Sequence, residues 1–178
     1  MLWHVMATTG VRRGEALGLE WSDLTGDTLV VLRAVTADGD VTAPKSRASV
    51  RPIALDTATV RRLESWKVAQ KADRLRWGAG WVDVDAMFTR EDGSRLSPDL
   101  VTRTFQKTAI SLGLPAIGPH GLRHTWATLA LEAGIPAKVV SSRLGHASVA
   151  TTLDRYTSVR DVIDRDAAEV VAQLIAAG

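Results

Sequence analysis

The chain has 178 residues, of which 46% are apolar and 24% charged, enough to bury a hydrophobic core. It contains no cysteine, which excludes disulfides and thiolate chemistry, and its four histidines are scattered, which disfavours a metal site. The N-terminus lacks the basic segment of a secretory signal, and no run of about 18 apolar residues predicts a membrane span. We therefore expect a soluble intracellular protein with no metal and no cofactor.

The first part of the chain predicts two short helices followed by a small sheet. Residues 2–8 are typical of the last turns of a helix, and "RRGEALGLEW" predicts a second helix just after Gly10. Short β-branched runs follow at 28–35, 40–44 and 49–55. Asp38-Gly39, between the first two runs, is a typical hairpin turn. These signals predict three antiparallel strands.

The rest of the chain predicts helices with recognisable ends. Asp56 is a typical N-cap for the helix that begins "TATVRRLESW", and another helix is expected from Ser97, with proline at its first position. Two further helices are expected to stop at Gly134 and Gly145. A short helix over "ASVATTLDRY" and a final amphipathic helix over about 160–177 complete a mainly α (α+β) fold.

The charge is unevenly distributed along the chain, although the net charge is only +2. Residues 161–178 hold four acidic side chains against one arginine, so the preceding part of the chain is more basic. Arginine supplies 17 of the 22 basic residues, and its guanidinium binds phosphate in a bidentate manner better than lysine does. Because arginine-rich composition can also follow genomic base content, composition leaves nucleic-acid binding open.

Four separated motifs narrow the function: "TTGVRRGEALGLEW", "APKSR", "HGLRHT" and "LGHASVATTLDRY". Each alone has a structural explanation, such as an exposed helix start, a lysine in a turn or a histidine that caps a helix. Together, in this order, they resemble the catalytic domain of the tyrosine recombinases, also called the phage integrase family. The resemblance covers nearly all of residues 1–178, which we interpret as one domain. It implies a helical domain with a small three-stranded antiparallel sheet.

The resemblance implies a role for each residue that matches the family's motifs. Tyr156, the only tyrosine, would attack a DNA phosphorus, forming a 3′-phosphotyrosine and releasing a 5′-hydroxyl. Arg12 and Arg123 would bind the two non-bridging oxygens. His120 and His146 would complete that shell, with His120 also a candidate acceptor for the tyrosine proton.

Four more residues have possible roles beside these catalytic positions. The resemblance implies that Lys45 protonates the departing 5′ oxygen and that Glu15, one helical turn after the first arginine, holds that arginine or His120 in place. Near the lysine, Arg47 and Arg51 either contact DNA backbone phosphates or lie on solvated surface.

The chemistry of these residue types agrees with the implied roles. A phosphodiester gains charge on its equatorial oxygens when attacked, and guanidiniums are permanently charged, forked donors for that charge. A tyrosine with a pKa near 10 needs a base or a cationic surround to attack at neutral pH. The arginines take the part that Mg²⁺ plays in many phosphoryl-transfer sites, so no metal is expected.

The resemblance also implies partners and extent. The partner would be double-stranded DNA, bound by a homo-tetramer of the full-length protein, whereas this chain alone is expected to be monomeric. The family's N-terminal helical core-binding domain is missing from these 178 residues, so we expect a catalytic part of a longer, cytoplasmic, nucleoid-associated or phage-encoded protein. The helix over about 160–177 would dock on its own domain or on a neighbouring protomer. Ser158 stands where the family often has histidine.

Three alternatives remain open from the sequence. "IPAKVVSSRLGHASVATTLDRY" also fits a helix-turn-helix, which would make the chain a DNA-binding module without catalysis. A second alternative is a catalytically inactive relative, although no expected catalytic position is lost. A type IB topoisomerase would use the same chemistry.

Overall fold

A computed structural model describes residues 1–43, 49–115, 117–146, 148–150, 152, 171–173 and 175. Six α-helices have bounds within these residues: α1 Leu2–Thr9, α2 Arg13–Gly18, α3 Thr57–Trp77, α4 Pro98–Ser111, α5 Pro119–Glu132 and α6 Ala137–Leu144. Five short strands accompany them: β1 Leu24–Thr25, β2 Thr28–Val31, β3 Ala34–Val35, β4 Val41–Thr42 and β5 Arg51–Ala54. The predicted mainly helical fold with a small antiparallel sheet is confirmed.

The strands form two sheets, where the sequence predicted one. β2 lies between β1 and β5 in an antiparallel sheet, with Leu29 opposite Leu24 and Ile53. β3 and β4 form a separate hairpin around the predicted Asp38-Gly39 turn. The prediction of a single strand over 28–35 was therefore wrong, because the run divides before Ala34.

A close approach between β3 and α2 explains the division. A Cβ on Gly14 would lie 2.6 Å from the carbonyl oxygen of Val35, and a Cβ on Gly18 would lie 2.9 Å from that of Arg33. Arg33, between the two strands, pairs with Asp23 at 2.6 Å. The chain thus leaves the first sheet to pack against the glycine face of α2.

The helix ends follow the local signals in the sequence. The Asp56 carboxylate accepts a hydrogen bond from the Thr59 backbone N–H at 2.9 Å, so Asp56 is the predicted N-cap of α3. Ser97 is the N-cap of α4, with proline at its first position. Gly134 and Gly145 follow α5 and α6 with left-handed backbone (φ 76° and 66°), as predicted for C-terminal stops.

Two apolar clusters hold the elements together. The larger joins α1, α2, the three-stranded sheet, α3 and α4, and includes Met6, Leu29, Leu63 and Phe88. The smaller joins α5 to α6 around Leu131, Val140 and Leu144. α1 packs along α5, which places the N-terminal motif beside the two C-terminal helices.

The predicted C-terminal helices fall mostly outside the described residues. Within them, Val149, Ala150, Thr152, residues 171–173 and Ile175 are helical. Among the helices of the described residues, none is long and apolar enough to cross a membrane.

Candidate active site

The N-terminus of α2 presents a partly exposed arginine that is fixed at two points. Arg12 is the N-cap residue of α2, and its backbone N–H donates to Glu15 Oε2 at 2.9 Å. Its Nη1 donates to Glu15 Oε1 at 2.7 Å, and its Nη2 lies 3.4 Å from the carbonyl oxygen of Gly145. Because the side chain remains 39% exposed, the guanidinium is oriented and still accessible to a substrate.

The second arginine of the predicted set is buried on α5. Arg123 is only 2% exposed, and its Nη1 and Nη2 donate to the carbonyl oxygens of Gly10 and Leu144 at 2.8 and 2.7 Å. The carbonyls of Leu144 and Gly145 are consecutive along the chain, and one binds Arg123 while the other binds Arg12. The structure therefore brings the two predicted phosphate-binding arginines to the same helix end.

Glu15 contacts Arg12, one of the two residues that the sequence analysis left open as its partner. Its carboxylate is buried, and burial alone opposes ionisation; hydrogen bonds and charge from Arg51, together with hydrogen bonds from Arg12, outweigh that effect and lower the pKa of Glu15 below its usual value. Glu15 is thus held ionised between two guanidiniums.

The structure corrects the surface position predicted for Arg51. Arg51 is 5% exposed, and its Nη1 and Nη2 donate to the two carboxylate oxygens of Glu15 at 3.2 and 2.8 Å. Its Nε donates to the carbonyl oxygen of Arg143 at 2.6 Å. The predicted contact with DNA phosphate depended on a surface position, and the side chain is engaged inside the fold. Strand alternation was the signal for this burial, since Arg51 and Ile53 share the inner face of β5 while Pro52 and Ala54 face outwards.

His146 follows directly after the end of α6. Its backbone N–H donates to the carbonyl oxygen of Ser141 at 3.0 Å, and its Nδ1 lies 2.8 Å from Thr152 Oγ1. Thr152 is fully buried. A hydrogen bond at Nδ1 fixes the orientation of the ring. Thr152 lies within the motif "LGHASVATTLDRY", where no feature of the sequence predicted this contact.

His120 lies at the N-terminus of α5, one turn before the buried Arg123. It is exposed, and its ring meets that of His124 edge to face, with centroids 4.6 Å apart. The structure thus places His120 on the helix that carries the second arginine.

Three predicted residues, Lys45, Arg47 and Tyr156, lie outside the described residues, so their roles stay predictions. The described residues that flank them lie at the site. Ser49, which follows the lysine segment, accepts a hydrogen bond from Arg51 Nη1 at 3.0 Å through its carbonyl oxygen. Thr152, four positions before the tyrosine, contacts His146.

An open cleft adjoins Arg12, between α2 and the β3–β4 hairpin. Its volume is about 510 Å³, and Arg12, Glu15, Thr42 and Ser49 are among its lining residues. Within the described part of the chain, no group of three or more histidine or carboxylate side chains is arranged to hold a metal ion. The arginines of the described site, Arg12, Arg51 and Arg123, provide positive charge around the Glu15 carboxylate and the end of α6.

Comparison with known proteins gives a consistent result. The model of the phage integrase family matches residues 1–162. A tyrosine recombinase XerC-like protein of Caldanaerobacter subterraneus is 30% identical over 169 residues, which cover 85% of this chain and 43% of the relative. Tyrosine recombinase XerD of Mycobacterium leprae is 34% identical over 152 residues, covering 85% of this chain and 45% of the relative.

Among solved structures, the Tn1549 transposon integrase in complex with transposon right end DNA shares the fold. Its TM-score is 0.75 at 21% sequence identity, over 92% of this chain and 57% of that one. This chain spans less than half the length of the two curated relatives that it matches.

Proposed function

Because this chain belongs to the phage integrase family, we propose that it is the catalytic part of a site-specific DNA recombinase or integrase. It would break and rejoin DNA strands through a covalent 3′-phosphotyrosine. The observation that carries the proposal is the pairing of Arg12 and Arg123 on consecutive carbonyls of one helix end, directly before His146. Two fixed guanidiniums and an oriented imidazole suit one anionic phosphodiester.

Phosphate binding falls to the two arginines and His146. The two non-bridging oxygens gain negative charge as the phosphorus is attacked, and donors that are already oriented stabilise that charge without reorganising. Arg12 is partly exposed, whereas Arg123 is buried and held by the carbonyls of Gly10 and Leu144, so Arg12 is the more accessible of the two proposed phosphate donors. His146, held at Nδ1, would donate from Nε2 to a phosphate oxygen.

Strand cleavage is assigned to Tyr156, with proton transfer by His120 and Lys45. The tyrosine oxygen would attack phosphorus and pass its proton to His120, while the bond from phosphorus to the 5′ oxygen breaks. Lys45 would donate a proton to that leaving oxygen, which would otherwise depart as a poorly stabilised alkoxide. Attack by a 5′-hydroxyl on the phosphotyrosine reverses these steps and rejoins the strand, so no ATP is consumed.

The proposed partner is duplex DNA. The Tn1549 integrase, which shares this fold, was solved in complex with transposon DNA. The basic, arginine-rich composition before the acidic C-terminal segment supports the same partner. We place residues 1–178 in one catalytic domain of a bacterial or phage protein that acts on DNA in the cytoplasm as a tetramer when full-length.

A DNA-binding module without catalysis is the less favoured alternative. A helix-turn-helix module needs its second helix for a DNA groove, but has no need of Arg12 and Arg123 bound to the carbonyls of Gly145 and Leu144 at the end of α6. The two functions differ in one product, a covalent bond between protein and DNA.

Covalent attachment tests the proposal. The chain would be incubated with a supercoiled plasmid carrying the DNA that flanks its own coding sequence, and then quenched with SDS. We expect an SDS-stable protein–DNA adduct that forms equally well in EDTA. Binding of the plasmid with no adduct would support the non-catalytic module, and loss of the adduct in EDTA would show that a metal is needed.

A further inference from the structure

The last turn of α6 and the glycine that follows it present three consecutive carbonyl oxygens to three arginines from other elements. The carbonyls of Arg143, Leu144 and Gly145 accept from Arg51 Nε at 2.6 Å, Arg123 Nη2 at 2.7 Å and Arg12 Nη2 at 3.4 Å, respectively. The final carbonyls of a helix have no partner within it and carry its partial negative charge. Three cations thus fix the helix end that leads directly into His146.

Arg51 has a position unlike the other two arginines. It comes from the inner face of β5 and is 5% exposed, whereas the proposed phosphate-binding arginine Arg12 is partly open to solvent. Its two terminal nitrogens form a fork with the Glu15 carboxylate, at 2.8 and 3.2 Å. A bidentate pair of this kind adds directional restraint to its Coulombic attraction.

One carboxylate connects the buried arginine to the exposed one. Glu15 Oε1 accepts from both Arg12 Nη1 and Arg51 Nη1, while Oε2 accepts from the Arg12 backbone N–H and Arg51 Nη2. Arg51 is therefore joined at one end to the side chain that holds Arg12 and at the other to the turn before His146. Arg12 also contacts both Glu15 and the end of α6, but its contact with the Gly145 carbonyl is longer, at 3.4 Å, and its side chain is partly exposed.

We propose that Arg51 is a positioning residue for strand cleavage, which sets Arg12 through Glu15 and His146 through the end of α6 without touching DNA. The inference rests on the proposed function, since it concerns the same phosphate site. It differs from both alternatives that the sequence left open for Arg51, a DNA-backbone contact and a solvated surface position.

Removal of Arg51 has a specific structural consequence. The buried Glu15 carboxylate would keep only Arg12 as a cationic partner, which would draw that guanidinium further inwards. The carbonyl of Arg143 would lose its donor at the same time. Because a displacement of about 1 Å in a catalytic group can cost on the order of 10²-fold in rate, we expect Arg51→Gln to slow cleavage by about that factor.

A measurement of DNA affinity distinguishes a positioning role of Arg51 from a direct contact between Arg51 and DNA phosphate. An arginine that contacts a phosphate contributes to affinity and to its salt dependence, and its loss lowers the salt slope by about 1. A buried positioning residue changes neither. We expect Arg51→Gln to bind DNA within about 3-fold of the unsubstituted chain, with the same salt slope.

The experiment compares four proteins: the unsubstituted chain, Arg51→Gln, Arg51→Lys and Arg33→Gln. Arg33 is the control for the loss of a mostly buried arginine with two carboxylate partners, Asp23 and Glu20 at 2.6 and 3.0 Å. It lines the cleft beside Arg12, but its hydrogen bonds go to Gly18 and Asp23 rather than to Glu15 or α6. The rate of SDS-stable adduct formation is measured on the plasmid described above. Affinity is measured with a fluorescent 40-base-pair duplex of the same flanking DNA at several salt concentrations.

The expected result is slow cleavage with unchanged affinity for both Arg51 variants, and cleavage near the unsubstituted rate for Arg33→Gln. Lysine keeps the charge opposite Glu15 but cannot form the fork, so Arg51→Lys separates geometry from charge and replaces Arg51→Gln if that variant does not fold. In a protein that already carries Glu15→Gln, adding Arg51→Gln should lower the cleavage rate much less than Arg51→Gln does alone, because both residues act through Arg12.

Each contrary outcome has one meaning. Normal cleavage by both Arg51 variants would overturn the inference, as would a loss of affinity and salt slope that accounts for the slower cleavage. If Arg33→Gln cleaves DNA as slowly as Arg51→Gln does, the slower cleavage reflects general destabilisation of the fold and the inference is wrong. If the unsubstituted chain forms no adduct, the proposed function itself is wrong.

Discussion

Glu15 is the residue on which the described part of the site depends. Its carboxylate is buried between Arg12 and Arg51, and those two cations keep its pKa below the usual value despite burial. Removing the carboxylate leaves two guanidiniums facing each other without compensation, and breaking a buried ion pair in this way costs about 3–5 kcal/mol.

A pH dependence of stability follows for Glu15→Gln. A carboxylate with a depressed pKa in the folded state stabilises the protein above its unfolded pKa, near 4.3, and this contribution disappears as the pH falls through the lower folded pKa. We therefore expect the variant to have a lower free energy of unfolding by about 3 kcal/mol at pH 7, and the gap to narrow below about pH 4. Denaturant titrations between pH 7 and pH 3 check this, and a gap that stays constant over that range would contradict it.

The proton donor to the leaving group is tested with a chemical substitution in DNA. If Lys45 protonates the 5′ oxygen, Lys45→Ala should cleave ordinary DNA slowly but recover on DNA with a bridging 5′ sulfur at the scissile phosphate. A thiolate leaves without protonation, so the variant needs no donor there. Cleavage rates on the two substrates give the comparison, and equal impairment on both would remove Lys45 from this role.

At the scale of elements, the contact between the end of α1 and the end of α6 assembles the site. Gly10 has left-handed backbone (φ 71°), and a Cβ there would lie 2.7 Å from Leu144 Cδ2 and 3.2 Å from Trp126 Cε3. The carbonyl of Gly10 also accepts a hydrogen bond from Arg123. A side chain at this position would therefore displace the buried Leu144 side chain, at the helix end that holds Arg123.

Gly10→Ala tests this contact, with Gly134→Ala as its matched control. Both glycines have similar backbone angles (φ 71° and 76°), but no atom lies within 4 Å of a Cβ placed on Gly134. The control should pay only the backbone strain of about 1–2 kcal/mol, whereas Gly10→Ala should lose about 1–3 kcal/mol more and cleave DNA more slowly. Thermal unfolding and adduct rates measure both effects. Equal loss of unfolding free energy in the two variants would contradict this prediction, since it would show that the contact with Leu144 adds nothing to the backbone strain.

The sequence predicted elements well where their signals are local. The N-cap at Asp56 and the glycine stops at 134 and 145 act within one turn of their own helix, so they are readable from a few residues. The division of the strands was missed because it depends on the two glycines of α2, which lie more than ten residues away. Arg51 was misplaced for a similar reason: its partners Glu15 and Arg143 are 36 and 92 positions distant.

At the scale of the whole molecule, the fold brings together motifs that the sequence separates by up to 133 positions. No spacing rule in the sequence links Arg12 to Gly145, so only the family resemblance indicated that these motifs would lie together. In the structure, Arg12 at the start of α2, Arg51 on β5 and Arg123 on α5 each donate to a carbonyl at the end of α6. Tyr156, Lys45 and Arg47 lie outside the described residues, and the role of Tyr156 as nucleophile stays a prediction.

The most direct measurement is therefore the identity of the residue bonded to DNA. The adduct with the plasmid would be digested with nuclease and protease, and the modified peptide sequenced by mass spectrometry. Because the chain contains a single tyrosine, we predict a phosphotyrosine linkage at Tyr156 alone, and its complete loss in Tyr156→Phe with DNA affinity nearly unchanged. An adduct at any other residue, or undiminished cleavage by Tyr156→Phe, would contradict the account.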